Sequence, residues 1–295
     1  MEWYVFALLA PAFWAMNNVF MKFLITNKFK SYFSLIFAVV CIDAIFALMV
    51  PLFTVVSLNV PNSIMGFLAG LLPMFAFWFY SKALMTEEVT RIATLFQLIP
   101  VFVVLLSVVF LNEILGPQRY LGIGLIVFAS MLISYKKGKG QFFSKALKFM
   151  IPFSIIIATY TIVDKILLGY LDYWSLFFWN ILGTFCGVIF MLLFPKIRNE
   201  VFDTFKKAGT KTFITTLIGE SLYVVGTLCS LISLSLIDAS LASSLFGLQP
   251  FFVFFYMLTI SLFFSHILKE ELGKTVILFK IFSISLMLIG TWLVI

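Results

Sequence analysis

A chain of 295 residues that is 63% hydrophobic and 11% charged cannot hide its apolar side chains inside one water-soluble globule, where charged residues make up about 25%. Composition therefore restricts it to integral membrane proteins. The net charge of +7 requires no nucleic-acid partner, because basic residues along one membrane face are attracted by anionic lipid.

A helix crosses a hydrocarbon core of about 30 Å in about 20 residues. In chain order, apolar stretches of that kind run from Trp3 to Ile25, Phe33 to Val56, Ser63 to Met85, Ile92 to Leu111 and Tyr120 to Tyr135. After a lysine-rich break come Phe149 to Leu168, Trp174 to Pro195, Phe213 to Leu236, Leu241 to Phe264 and Val276 to Ile295. The runs are continuously apolar, so they predict helices; barrel strands would alternate. The first span has no basic segment before it and reads as a membrane helix, not as a cleaved leader. Short loops leave no room for a soluble domain. Cys41, Cys186 and Cys229 fall inside three different spans and read as buried packing, neither a disulfide frame nor a metal cluster.

The fourth span, "QLIPVFVVLLSVVFLNE", sets Gln97 and Pro100 ahead of an apolar run that closes on Glu113. The ninth, "GLQPFFVFFYMLTISLFFSHILKEE", does the same with Gln249 and Pro250. Placing Pro100 over Pro250 also places Glu88 over Asp238 without a gap. "AFWAMNNVFMKFLI" in the first span resembles "IIATYTIVDKILLG" in the sixth, with Lys22 over Lys165. Two five-helix units follow, residues 1–138 and 147–295, joined by a basic linker over 139–146.

Five helices per unit put the second unit into the membrane upside down, and the basic residues agree. With alternate loops assigned to two sides, Arg119 and Lys165 fall on the side of the termini and every other Lys and Arg on the opposite side. The fold class is thus an all-α integral membrane protein of ten transmembrane helices, arranged as two inverted five-helix repeats. Because Lys and Arg in short loops stay cytoplasmic, the loops after spans 1, 3, 5, 7 and 9 are placed in the cytoplasm of a cell membrane and both termini outside it. An inverted repeat suits alternating access, with a substrate site near midplane between the halves.

The ten-helix plan, the two proline-aromatic helices, "GIGLIVFASMLIS", "IFSISLMLIGTWLVI" and "ATYTIVDK" together resemble the EamA family of the drug/metabolite transporter superfamily. The resemblance covers essentially the whole chain. It implies a secondary transporter of small metabolites, often an exporter, with a cavity formed chiefly by spans 1, 3, 4, 6, 8 and 9. It also implies cytoplasmic termini, against the lysine count; the count is retained for this chain.

Candidate substrate-lining residues are those whose polarity is costly unless they face a partner or a wet cavity. In span 1 they are Trp14, Asn17 and Asn18; Trp14 and Asn17 share a face at i, i+3. Tyr80 comes from span 3 and Tyr160 from span 6, where Asp164 lies one turn on and Lys165 reaches toward the side of the termini. In span 8, Glu220 lies roughly 13 Å along the helix from Lys211, with Tyr223 at i+3. An acid at that depth costs several kcal/mol unless paired, neutral or wet, so Glu220, and after it Asp164, are proton-coupling candidates; a structural carboxyl is the other reading of each. Asp43 reads as structural or gate-lining. Gln97 and Gln249 either satisfy a carbonyl freed by the following proline or contact substrate. Pro100 and Pro250 read as hinges. Trp78 and Phe79 read as packing, Glu88 and Asp238 as helix starts that meet the positive end of the dipole, and Gly122 and Gly124 as sites of close helix packing.

A channel lacks its repeated filter or ring of charge here. An intramembrane enzyme would have to act without a recognisable motif, since the single histidine, His266, excludes a multi-histidine metal site. No cofactor is called for. The expected function is secondary transport of an amino acid, a purine-like metabolite or an organic cation, with the bilayer and protons as the other partners.

Overall fold

The structure, a computed structural model, describes residues 3–29, 31–87, 92, 95–112, 116–134, 145–207, 209–263 and 274–294. Among these the regular elements are helices, with no strand. They are α1 (Trp3–Asn27), α2 (Tyr32–Met49), α3 (Val60–Ala69), α4 (Leu71–Thr86), α5 (Leu98–Phe110), α6 (Pro117–Ser134) and α7 (Leu147–Leu167). There follow α8 (Tyr173–Met191), α9 (Pro195–Lys207), α10 (Thr210–Leu236), α11 (Ala239–Phe246), α12 (Gln249–Phe263) and α13 (Lys274–Val294). Seven segments among the described residues are long and apolar enough to cross a bilayer, with α3–α4 and α11–α12 each counting as one. Glu88, Glu113 and His266 lie outside the described residues.

α1 lies along α10, and α6 along α13; α7 packs on α4 and α5, and α8 on α2, α3 and α4. Glycine sets several of these approaches. A Cβ on Gly219 or Gly226 of α10 would press on Phe20 or Trp14 of α1. A Cβ on Gly70 or Gly183, at the crossing of the α3–α4 junction with α8, would collide with the backbone carbonyl of Asn180 or Phe67. Between α6 and α13 the contact runs through Gly122 and Gly290. Gly124, expected at that contact, faces outward. Gly70→Ala and Gly183→Ala are each expected to destabilise the protein by about 1–3 kcal/mol through overpacking. Thermal unfolding in detergent reads this; Gly124→Ala, whose Cβ would meet nothing within 4 Å, should leave the midpoint in place.

Two details depart from the sequence reading, and a third, the break at each repeated proline, agrees with it. The loop after the seventh span contains α9, an amphipathic helix held to α2: the Ser34 hydroxyl reaches Glu200 O (3.3 Å) and Thr204 Oγ1 (3.0 Å), and Phe205 meets Phe37 edge-on at 5.5 Å. Its charge density disguised it as a loop, while the Val201 and Phe205 stripe was the helical signal. Cys186 is exposed on the outer surface of α8 and does not pack inside; Cys229 is buried and Cys41 half-buried. The spans holding Pro100 and Pro250 are interrupted just before those prolines, at Phe96–Gln97 and at Gly247–Leu248. Asp238 stands at the N-cap of α11, and Asp172 caps α8 by accepting from the Trp174 and Ser175 amides (2.9 and 3.1 Å).

Candidate functional site

A cavity of about 160 Å³ lies between α1, α4, α5, α7, α10 and the α11–α12 break. From α1 come Trp14, Asn17 and Asn18, both asparagines buried. Asn17 Nδ2 donates to Gly219 O (2.9 Å) and to Glu220 Oε1 (3.0 Å) on α10. Asn18 Oδ1 accepts from the Tyr80 hydroxyl (2.5 Å) on α4, while its Nδ2 finds no acceptor among the described residues. Trp14 Nε1 donates to Thr227 Oγ1 (3.3 Å), and its ring meets Phe246 edge-on at 5.4 Å.

Aromatic rings make the walls. Tyr80, Phe96 and Phe153 form a cluster with centroids 5.3–5.7 Å apart, and Tyr223 faces Phe77 at 6.1 Å. α7 adds Tyr160, Thr161 and Asp164, the last 1% exposed. Asn180 of α8, behind them, donates to the Tyr160 oxygen and to Asp164 Oδ1, both at 2.9 Å. One amide group thus fixes a phenol and a carboxyl side by side at the cavity wall. None of the described lining residues is Lys, Arg or His, and Asp164 is their one carboxyl.

Of the residues singled out from sequence, Trp14, Asn17, Asn18, Tyr80, Tyr160, Asp164, Tyr223, Gln249 and Pro100 line this cavity. Glu220, Gln97 and Pro250 do not. Glu220 stands one layer behind Asn17 and faces Asp43 of α2. Gln97 packs against Gly247 at the other helix break, and its amide has no hydrogen-bond partner among the described residues, so it does not satisfy the carbonyl freed by Pro100. Lys165, half-buried, donates to Leu234 O and Ile237 O (2.9 and 2.8 Å). Trp78 and Phe79 pair edge-on away from the cavity, with Lys82 Nζ 3.6 Å over the Trp78 ring.

Sequence reasoning missed Asn180, although it carried the signal used for Asn17, an amide deep in an apolar run. Thr227, Ser230 and Ser243 were missed because hydroxyls that can bond to their own helix are common in membrane spans.

An apolar helical bundle with a polar, aromatic-walled cavity at its centre defines the class as a multi-pass integral membrane protein with an internal cavity. Residues 1–135, just under half of the chain, match the model of the EamA-like transporter family, to which the chain is similar. A crystal structure of a protein superposes with a TM-score of 0.65 at 14% identity, covering 98% of this chain and 94% of that one; the likeness is one of fold. No curated protein matches in sequence.

Proposed function

We propose that the protein is a secondary transporter for a small amine-bearing metabolite, moved by alternating access between two inverted five-helix repeats, residues 1–138 and 147–295. The carrying observation is the cavity itself: aromatic walls, a carboxyl from Asp164, an unpaired amide donor at Asn18, and no basic lining residue among those described. A protonated amine is attracted to both the carboxyl and the ring faces. A phosphate or sugar nucleotide would find no cation to meet it. Asn18 Nδ2 suits an acceptor on the same solute, as in an amino acid. The volume is close to that which admits a single aromatic ring.

The inverted repeat is supported by packing that maps onto itself when each span is exchanged for its equivalent in the other half. α1 on α10 answers α7 on α4; α1 on α12 answers α7 on α5. Lys22 donates to Leu84 O and Glu87 O (2.6 and 2.8 Å), as Lys165 does to Leu234 O and Ile237 O. The interruptions before Pro100 and Pro250 face each other across this relation and serve as paired hinges. The loops after spans 1, 3, 5, 7 and 9 lie in the cytoplasm, following the lysine distribution.

Uptake into proteoliposomes tests this. Radiolabelled phenylalanine and phenylethylamine should accumulate above empty vesicles, and uridine and glucose 6-phosphate should not. Uptake confined to the phosphorylated or uncharged solutes would reject the amine assignment.

A further inference from the structure

Behind the cavity, two acids from different helices meet. Asp43 of α2 and Glu220 of α10, each 2% exposed, face one another within hydrogen-bonding reach. Their donors are unequal. Glu220 Oε1 accepts from Asn17 Nδ2 at 3.0 Å, whereas Asp43 Oδ1 has no donor among the described residues. Two bare carboxylates at this separation in a low-dielectric interior repel strongly, and a donorless buried carboxylate has nothing to replace its lost hydration.

We infer that Asp43 and Glu220 form a carboxyl pair holding a single exchangeable proton, and that this pair is the proton-coupling site of the transporter. Asp43, the acid without a donor, carries the proton and gives its O–H to the Glu220 carboxylate, whose second stabilising contact is the Asn17 amide. The inference rests on the transport reading above and assigns its coupling ion.

Asn17 is the link to the solute. It lines the cavity, and its Nδ2 divides its two hydrogens between Gly219 O and Glu220 Oε1. A Glu220 that receives the shared proton from Asp43 is a poorer acceptor, which frees one Asn17 hydrogen for a solute. Loss of the shared proton leaves two facing anions, which pull that hydrogen back and favour the state in which water reaches the pair. Proton and solute occupancy thus act on one amide.

The other ionisable groups around the pair do not replace this role. Cys41 on α2, Tyr80 on α4 and Tyr223 on α10 face it. α8 has no charged residue along its length. α1 offers Lys22, which is engaged at the end of α4, and Lys196, Arg198 and Lys206 of α9 are exposed. No cation among these neutralises the pair.

Infrared difference spectroscopy of the protein in lipid vesicles tests the inference without any solute, by following the C=O stretch of protonated carboxyls as pH is stepped. Wild type should show a band that titrates as one proton, and both Asp43→Asn and Glu220→Gln should remove it, while Asp203→Asn on the exposed face of α9 retains it. Should either amide variant fail to fold, Asn17→Ser, which keeps both acids, must shift the midpoint pH of the band. Retention of the band in both amide variants, or an unmoved midpoint in Asn17→Ser, would overturn the pair. A band displaced by Na⁺ at fixed pH would also overturn it in favour of a metal-cation site. Phenylalanine uptake measured on the same vesicles separates the two readings: uptake with no titrating pair removes the coupling site alone, and a titrating pair with no uptake of any solute removes the transport reading.

Discussion

Asp164→Asn is expected to weaken binding of phenylalanine by about 30-fold or more, the consequence of losing about 2 kcal/mol or more when one partner of a buried, hydrogen-bonded charge pair is removed. The substitution keeps the shape of the side chain and a polar atom for Asn180 Nδ2, which now stands 2.9 Å from Asp164 Oδ1. What disappears is the negative charge that meets the amine. Asn180→Leu should act in the same direction but less strongly, roughly tenfold for loss of a bond to a charged group, because Asp164 stays in place and loses its orienting donor. Ligand-induced thermal stabilisation reads both effects, since a ligand bound to the folded state raises stability by mass action. The same measurement with a neutral aromatic amide as ligand supplies the contrast: its binding should change little in Asp164→Asn. Equal losses for amine and amide would mean that Asp164 supports the wall without contacting the solute.

Much of the helical frame was legible because a bilayer imposes one coarse rule, a continuous apolar run, that survives without knowledge of packing. Trp14, Asn17, Tyr80 and Tyr160 were legible for a related reason: polar or amphipathic groups deep in such runs must face protein or water. That rule locates depth and leaves direction open. Glu220 and Tyr223 sit one turn apart on α10, yet Tyr223 lines the cavity and Glu220 turns toward α2, where Asp43 waits. The pairing of Asp43 with Glu220 depends on how α2 and α10 cross, and no spacing within either helix encodes a crossing. Gln97 shows the same limit: Gln249, which matches it in the sequence, lines the cavity, while Gln97 is buried against Gly247. The amphipathic α9 was hidden for the opposite reason, since an apolar stripe among six charged residues was read by composition when its period carried the information.

The two lysine contacts yield the second large expected effect, and its sign differs between them. Lys22 ties α1 to the end of α4, and Lys165 ties α7 to the end of α10; the proposed topology puts the first on the side of the lysine-rich loops and the second on the side of the termini. Both lysines are half-buried, so removing the ammonium strands backbone carbonyls that have little water to replace it. If the repeats are inverted, each clamp closes the mouth on its own side, and its loss opens that mouth alone. A cysteine placed at Thr227 on the cavity wall, in a background lacking Cys41, Cys186 and Cys229, reports the opening through its labelling rate with a membrane-impermeant maleimide. Lys165→Met should raise labelling from the side of the termini by about tenfold or more, since a hydrogen bond to a charged group contributes about 1.5–3 kcal/mol and about 1.4 kcal/mol shifts a two-state population tenfold. Lys22→Met should raise labelling from the opposite side and lower it from the side of the termini. The orientation of the vesicles, fixed by proteolysis of the basic linker at 139–146, then also reports which side is cytoplasmic. Two substitutions that change accessibility from the same side would break the correspondence between Lys22 and Lys165, and with it the inverted relation of the halves.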